Sequence, residues 1–220
     1  CAGRTDAGVH ATGQVVHFDT DVQRPSISWV RGTNAYLPPD IAVQWAQVVP
    51  DAFHARASAQ ARRYVYISLE SPMRPSLEAG RVGWTFRPLD GAAMQSAAVR
   101  LLGEHDFSSF RAAACQALSP IKTIERLEIT RQGAYWRFEF QANAFLHHMI
   151  RNIMGCLLAV GRGQQPPQWI EQVLAARSRD AAAPTFAADG LYFAGPLYAA
   201  HWGLPESTAA FCSLPGSVIA

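Results

Sequence analysis

The stretch Gly3-Arg4-Thr5-Asp6-Ala7-Gly8-Val9-His10 sets one carboxylate among small residues, with glycine on both sides and an arginine two positions earlier. Glycine permits tight turns and close approach of a ligand. A short acidic side chain at Asp6 could therefore meet a substrate as nucleophile or base. On spacing alone, a Gly-rich turn in which the aspartate accepts from backbone donors is the more frequent case. A second group follows Asn143: His147, His148 and Arg151 beside an apolar run. A lone Arg among apolar helix positions is usually a snorkelling surface residue. Paired with a carboxylate, it would keep that carboxylate ionised in a desolvated site. The two histidines invite a metal. Neighbours on a helix point about 100° apart, so one ion does not suit both; they read as structural or substrate-contacting, with no metal. Cys1, Cys115, Cys156 and Cys212 form no C-x-x-C pair, which argues against zinc and for reduced thiols.

These groups need a scaffold. Period-two alternation predicts strands over Gln14–Asp19, Val43–Val49 and Arg63–Leu69. In the last, Tyr64, Tyr66 and Ser68 share one face and Val65, Ile67 and Leu69 the other. Ile124–Arg131 and Tyr135–Gln141, joined through Gln132-Gly133, read as a hairpin with Trp136, Phe138 and Phe140 on one face. Asp90 is placed to cap a helix with Met94, Ala97, Ala98, Leu101 and Leu102 inside. Asn143 is placed to cap a second, with Leu146, Met149, Ile150, Ile153, Met154, Leu157 and Leu158 at spacings of three and four, stopped by Gly161 and Gly163. A third runs from Pro167 to Arg177. Residues 80–87 and the tail after Pro205 read as loops. Hairpins mixed with helices imply an α+β fold, with a boundary between residues 53 and 59.

Composition narrows the class without deciding it. The 220 residues are 49% hydrophobic and 16% charged, which suits a globular chain and not a disordered one. No apolar run approaches the roughly 18 residues of a membrane span. The opening Cys1-Ala2-Gly3 is not the start of a secretory signal, so the cytoplasm is expected. Of 19 basic residues, Lys122 is the single lysine. Arg matches phosphate and stacks on bases, although a GC-rich genome raises Arg everywhere.

The motif at residues 3–10 resembles the active-site signature of the tRNA pseudouridine synthase A family. Five further blocks occur in the order found there: Asn34-Ala35-Tyr36-Leu37-Pro38-Pro39-Asp40-Ile41; Phe53-His54-Ala55-Arg56-Ala57-Ser58 with Arg62-Arg63-Tyr64-Val65-Tyr66; His105-Asp106-Phe107-Ser108-Ser109-Phe110-Arg111; Asn143 through Asn152; and Gly190-Leu191-Tyr192-Phe193. The resemblance implies two related α+β domains with mainly antiparallel sheets flanked by helices, and an active cleft between them. Residues 1–55 would be the remainder of the first domain and 56–220 the second. It implies Asp6 as the essential carboxylate, Arg151 as its basic partner and Tyr64 as the residue stacked near the target base. Arg4 would enter the RNA stack as the uridine leaves it. Arg56, Arg62, Arg63, Arg111 and Lys122 are candidates for phosphate.

The implied substrate is uridine at positions 38 to 40 of tRNA, on a homodimer. The reaction is neither redox nor group import, so no cofactor is expected. Family members carry an upstream strand and a segment rich in Gly, Trp and Gln, so an N-terminally incomplete first domain is expected. A non-catalytic RNA-binding module is the alternative reading. A hydrolase would need a water-activating partner that the sequence does not offer.

Overall fold

The structure, a computed structural model, describes residues 1–205; Cys212 and the predicted loop after Pro205 lie outside the described residues. In chain order the elements are β1 (His10–Ala11), α1 (Ser26–Asn34), β2 (Ala59–Glu70), β3 (Gly83–Thr85), α2 (Gly91–Val99), β4 (Gly103–Asp106), β5 (Ile121–Gln132), β6 (Tyr135–Ala142), α3 (Met149–Gly161), α4 (Trp169–Ala176) and β7 (Leu191–Tyr198). Short 3-10 turns lie at Ser108–Phe110, Arg179–Ala181 and Ala200–Trp202. The sheet order is β1-β7-β2-β6-β5-β4. β1 runs parallel to β7, and β3 runs parallel to the end of β2; the remaining pairings are antiparallel. This is the expected α+β architecture.

β2 organises the sheet because alternation places apolar groups on both of its faces. Tyr66, with Trp136, Phe138 and Phe140 of β6, packs beneath α2, α3 and α4 in the main core. Val65, Ile67 and Leu69 join Val82, Tyr192 and Ala194 in a smaller cluster on the other face. Burying each large apolar side chain contributes roughly 1.5–3 kcal/mol before the entropy of ordering is subtracted. α3 is apolar nearly all round, and eleven of its thirteen residues are buried. The exceptions, Arg151 and Gly155, lie one turn apart on the same side. There the helix meets residues 183–186 so closely that a Cβ on Gly155 would strike the Pro184 carbonyl. No helix among the described residues is long and apolar enough to cross a membrane.

The hairpin and the Asp90 cap are as expected: Asp90 Oδ1 accepts from Ala93 N at 2.9 Å. The third predicted helix is α4, shorter at both ends than its pattern suggests. Four expectations need correction. Residues 14–19 and 43–49 form no strand; side-chain amides and one isolated backbone bond, Ala2 N to the Val15 carbonyl, stand where a ladder would be. The Asn34 amide exchanges bonds of 2.9 and 2.7 Å with the Val43 backbone, and Gln14 does the same for Gly3. Residues 80–87 hold β3, too short to alternate visibly. Asn143 does not cap α3; its Oδ1 accepts from Thr123 N and Ala144 N, which ties the chain to β5. The helix starts six residues later, after His148 takes a left-handed conformation at φ 61.

Candidate active site

The loop carrying Asp6 is folded by local rules. Val9 N donates to the Asp6 carbonyl at 3.1 Å, closing a turn through Gly8. Gly8 has φ +78, where a side chain is strained, and its Cβ would lie 3.3 Å from Ala188. Just beyond, β1 pairs with Tyr192 and Phe193, and Thr12 N donates to the Phe193 carbonyl. The turn is thus pinned to β7 and points Asp6 at the start of α3.

Three basic groups meet the carboxylate there. Arg151 Nη1 lies 3.1 Å from Oδ2, His148 Nε2 lies 3.3 Å from Oδ2, and His147 Nε2 lies 3.2 Å from Oδ1. The Asp6 and Arg151 side chains are only 20% and 16% exposed, so their attraction is less screened than that of a surface pair. The arginine is aimed by a second bond, from its Nε to the Phe186 carbonyl at 2.9 Å. That carbonyl is fixed in turn by Phe186 N donating to the Arg151 carbonyl. Burial holds His148 below the usual imidazole range, against the opposing pull of the Asp6 carboxylate.

Tyr64 stands beside this cluster, held between Phe193 (centroids 5.0 Å apart) and Phe145 (5.2 Å, edge-on). Burial, and then the nearby Asp6 carboxylate, push its phenol up to about 12. The phenol is therefore neutral across the physiological range. Asp6, Arg151, Tyr64, both histidines and Arg4 line one cavity of about 830 Å³, open to solvent. That volume suits a small-molecule-sized group such as a nucleoside. A carboxylate with both oxygens engaged, beside a neutral phenol in an open cavity, can act on a small polar substrate that enters it.

The chain is 70% identical over 219 residues to the tRNA pseudouridine synthase A of Polaromonas naphthalenivorans, covering 98% of this chain and 83% of that protein. It is 69% identical to the protein of the same name from Albidiferax ferrireducens, with the same coverage. The Delftia acidovorans protein of that name is 64% identical over 237 residues, with 98% of this chain and 84% of that protein covered. A family profile described as tRNA pseudouridine synthase matches residues 97–199. The chain belongs to the tRNA pseudouridine synthase family.

Within this synthase chain, the sequence-predicted residues divide. Asp6, Arg151, Tyr64, Arg4, Arg56 and Arg62 are brought to the one cavity. Arg62 spends its guanidinium on the carbonyls of Ala59 and Asn143 at 3.0 and 2.9 Å and on that of Arg56, so it braces the cavity wall. Arg111 is outside the cavity and holds the Cys115 and Ala117 carbonyls at 2.7 and 2.9 Å. Lys122 is occupied similarly, by the carbonyls of Ser119 and Ile121. Arg63 follows strand alternation to the face opposite Tyr64, beside Arg126 and Arg137.

The synthase site also contains what sequence reasoning set aside. His147 and His148 both reach Asp6, against the expectation that neighbours cannot converge. That expectation assumed a helix, and the left-handed turn at His148 removes the assumption. The available signal was their position just before the apolar run, where helix geometry need not hold.

Proposed function

We propose that this protein isomerises uridine to pseudouridine at positions 38, 39 and 40 in the anticodon stem-loop of tRNA, with Asp6 as the carboxylate acting on the target nucleotide. One observation carries the reading: a largely buried aspartate sits 3.1 Å from Arg151, beside Tyr64 in an open cavity, in a chain of this family. The reaction breaks the C1′–N1 bond, turns the uracil and joins C5 to C1′. It imports no atoms and is redox-neutral, so a carboxylate and a shaped pocket suffice without a cofactor.

A stacked uridine must first leave the helix, at a cost of a few kcal/mol. Stacking on Tyr64, at roughly 1–3 kcal/mol per base, offsets much of this. Arg4 takes the space the base vacates, and Arg56 holds nearby phosphate from the cavity rim. Arg63 and Arg111 contact RNA outside the cavity, Arg111 through nitrogens that its two carbonyl bonds leave over. Residues 1–55 form part of a first α+β domain and 56–220 the second. Support comes from the burial of only Ala2, Phe53 and Ala55 before β2. The working form is a cytoplasmic homodimer with tRNA lying across both subunits. The alternative, a non-catalytic RNA-binding module, gives no reason for Asp6 to be gripped at both oxygens.

The test is incubation with unmodified tRNA transcripts, followed by mapping of pseudouridine by mass spectrometry. Modification at 38 to 40 by the wild-type protein and none by Asp6→Asn is expected. Binding without modification would favour the RNA-binding module instead. Light scattering of the purified protein checks the dimer.

A further inference from the structure

The two histidines do more than line the cavity. Their Nε2 atoms lie 3.2 and 3.3 Å from different oxygens of the same carboxylate. Their rings lie 4.1 Å apart, so each restricts the other. Both are placed by identifiable backbone features. The left-handed His148 breaks the approach to α3 and lets adjacent side chains converge. His147 is tied on both sides of its peptide unit: its carbonyl accepts from Ala112 N at 3.0 Å, and its N–H points to Cys115 Sγ at 3.4 Å. The division of labour is unequal. Oδ2 is held by both Arg151 and His148, whereas Oδ1 has His147, the more exposed of the pair at 41% against 30%.

Resting on the assignment of Asp6 as the acting carboxylate, we propose that His147 and His148 are positioning residues for it. His148, with Arg151, anchors Oδ2 and fixes the plane of the carboxylate. His147 occupies Oδ1 in the free enzyme and withdraws toward solvent when the uridine arrives, leaving Oδ1 as the oxygen presented to the substrate. His148 serves as a neutral imidazole, because burial disfavours its charged form. The charged and titratable groups facing this pair are Asp6, Arg151, the Cys115 thiol against the His147 N–H and, acting on His148 at longer range, Arg179; Tyr64 adds a neutral phenol.

A glutamine amide can place a donor where a histidine Nε2 stood; a phenylalanine fills the space without donating. The experiment compares His148→Gln with His148→Phe, and His147→Gln with His147→Phe, in the full protein on unmodified tRNA. It records kcat, KM and the thermal midpoint. Removing a contact lets the carboxylate turn away from its productive orientation. His148→Phe should therefore lower kcat by about tenfold, with KM and the thermal midpoint little changed. His148→Gln should restore most of the rate. His147→Phe should lower kcat by less, because Oδ2 remains doubly held. Phe and Gln variants with equal rates would overturn the proposal. Unfolding of His148→Phe would shift the decision to the His147 pair, whose backbone is ordinary. Retained activity in Asp6→Asn would instead remove the assignment on which the proposal rests, so the two failures are distinguishable.

Discussion

Residues 1–58 and residues 59–205 keep their shape by different means. In the first region the regular structure is α1, which buries no residue, and the two-residue β1; only Ala2, Phe53 and Ala55 are buried. Val16, Phe18, Tyr36, Ile41 and Val48 are all more than half exposed. In the second, β2 alone buries seven of its twelve residues, and the strands and α3 pack around Phe138, Phe140 and Ile153. Asp6 belongs to the lightly anchored region, while Arg151 and Tyr64 belong to the densely packed one. The site is therefore an assembly: a rigid receptor of arginine, histidines and aromatics receives a carboxylate on a short docked turn. Precision in the site comes from the second region, and chemistry from the first.

The comparison can be broken in five ways. The largest effect expected is on rate, from Asp6→Asn, which keeps shape but removes the charge. Pseudouridine formation should fall by about a thousandfold or more, with the thermal midpoint unchanged. A large midpoint change would mean that the Asp6 turn stabilises the fold as well as serving the chemistry. Next is stability. Phe138→Ala in the core should cost about 3–5 kcal/mol in chemical denaturation, whereas Phe18→Ala, on a side chain 62% exposed, should stay within about 0.5 kcal/mol. Similar costs would dissolve the distinction between the two regions.

Arg151→Lys keeps charge but loses the fork that reaches both Asp6 and the Phe186 carbonyl. A fall of about ten- to hundredfold in kcat is expected, from the loss of a hydrogen bond to a charged group. Full activity in Arg151→Ala would remove the receptor role. A smaller effect concerns pH. The folded state raises the Tyr64 phenol from 10.0 to about 12. The native state then holds this proton more tightly than the unfolded chain. Its contribution to stability is complete below pH 10 and is lost as pH rises toward 12. Denaturation across that window should show a steeper decline in the wild type than in Tyr64→Phe, and phenolate absorbance should show one fewer late-titrating tyrosine in the variant. The smallest is Asp90→Ala, which removes the α2 cap and should cost about 1 kcal/mol without touching activity.

Much of the second region was legible because its patterns are local. Tyr64 to Leu69 alternates visibly, and Trp136, Phe138 and Phe140 mark the buried face of the hairpin. Asp90 announced its own cap. The first region misled for the same reason: Val43 to Val49 has strand composition, yet its backbone finds the Asn34 side chain in place of a neighbouring strand. β4 and β7 carried too little periodicity, and β7 contains Gly195 and Pro196 within its span.

For the site, the sequence by itself determined the cast. It supplied a carboxylate in a Gly-flanked turn, an arginine in an apolar helix and a tyrosine on an alternating strand, each placed by short-range rules of steric freedom and hydrophobic period. Only the tertiary structure decided how they meet. The 145 positions separating Asp6 from Arg151 are closed by the pairing of β1 with β7 and by the packing of α3 on residues 183–186. Only it turned His148 left-handed and brought both imidazoles to Asp6. It also separated Arg4 and Arg56, on the cavity wall, from Arg111, fastened to its own loop. Side-chain type is written residue by residue, but whether a charge meets a partner depends on contacts between segments far apart in sequence, and those are set by the whole packed core at once.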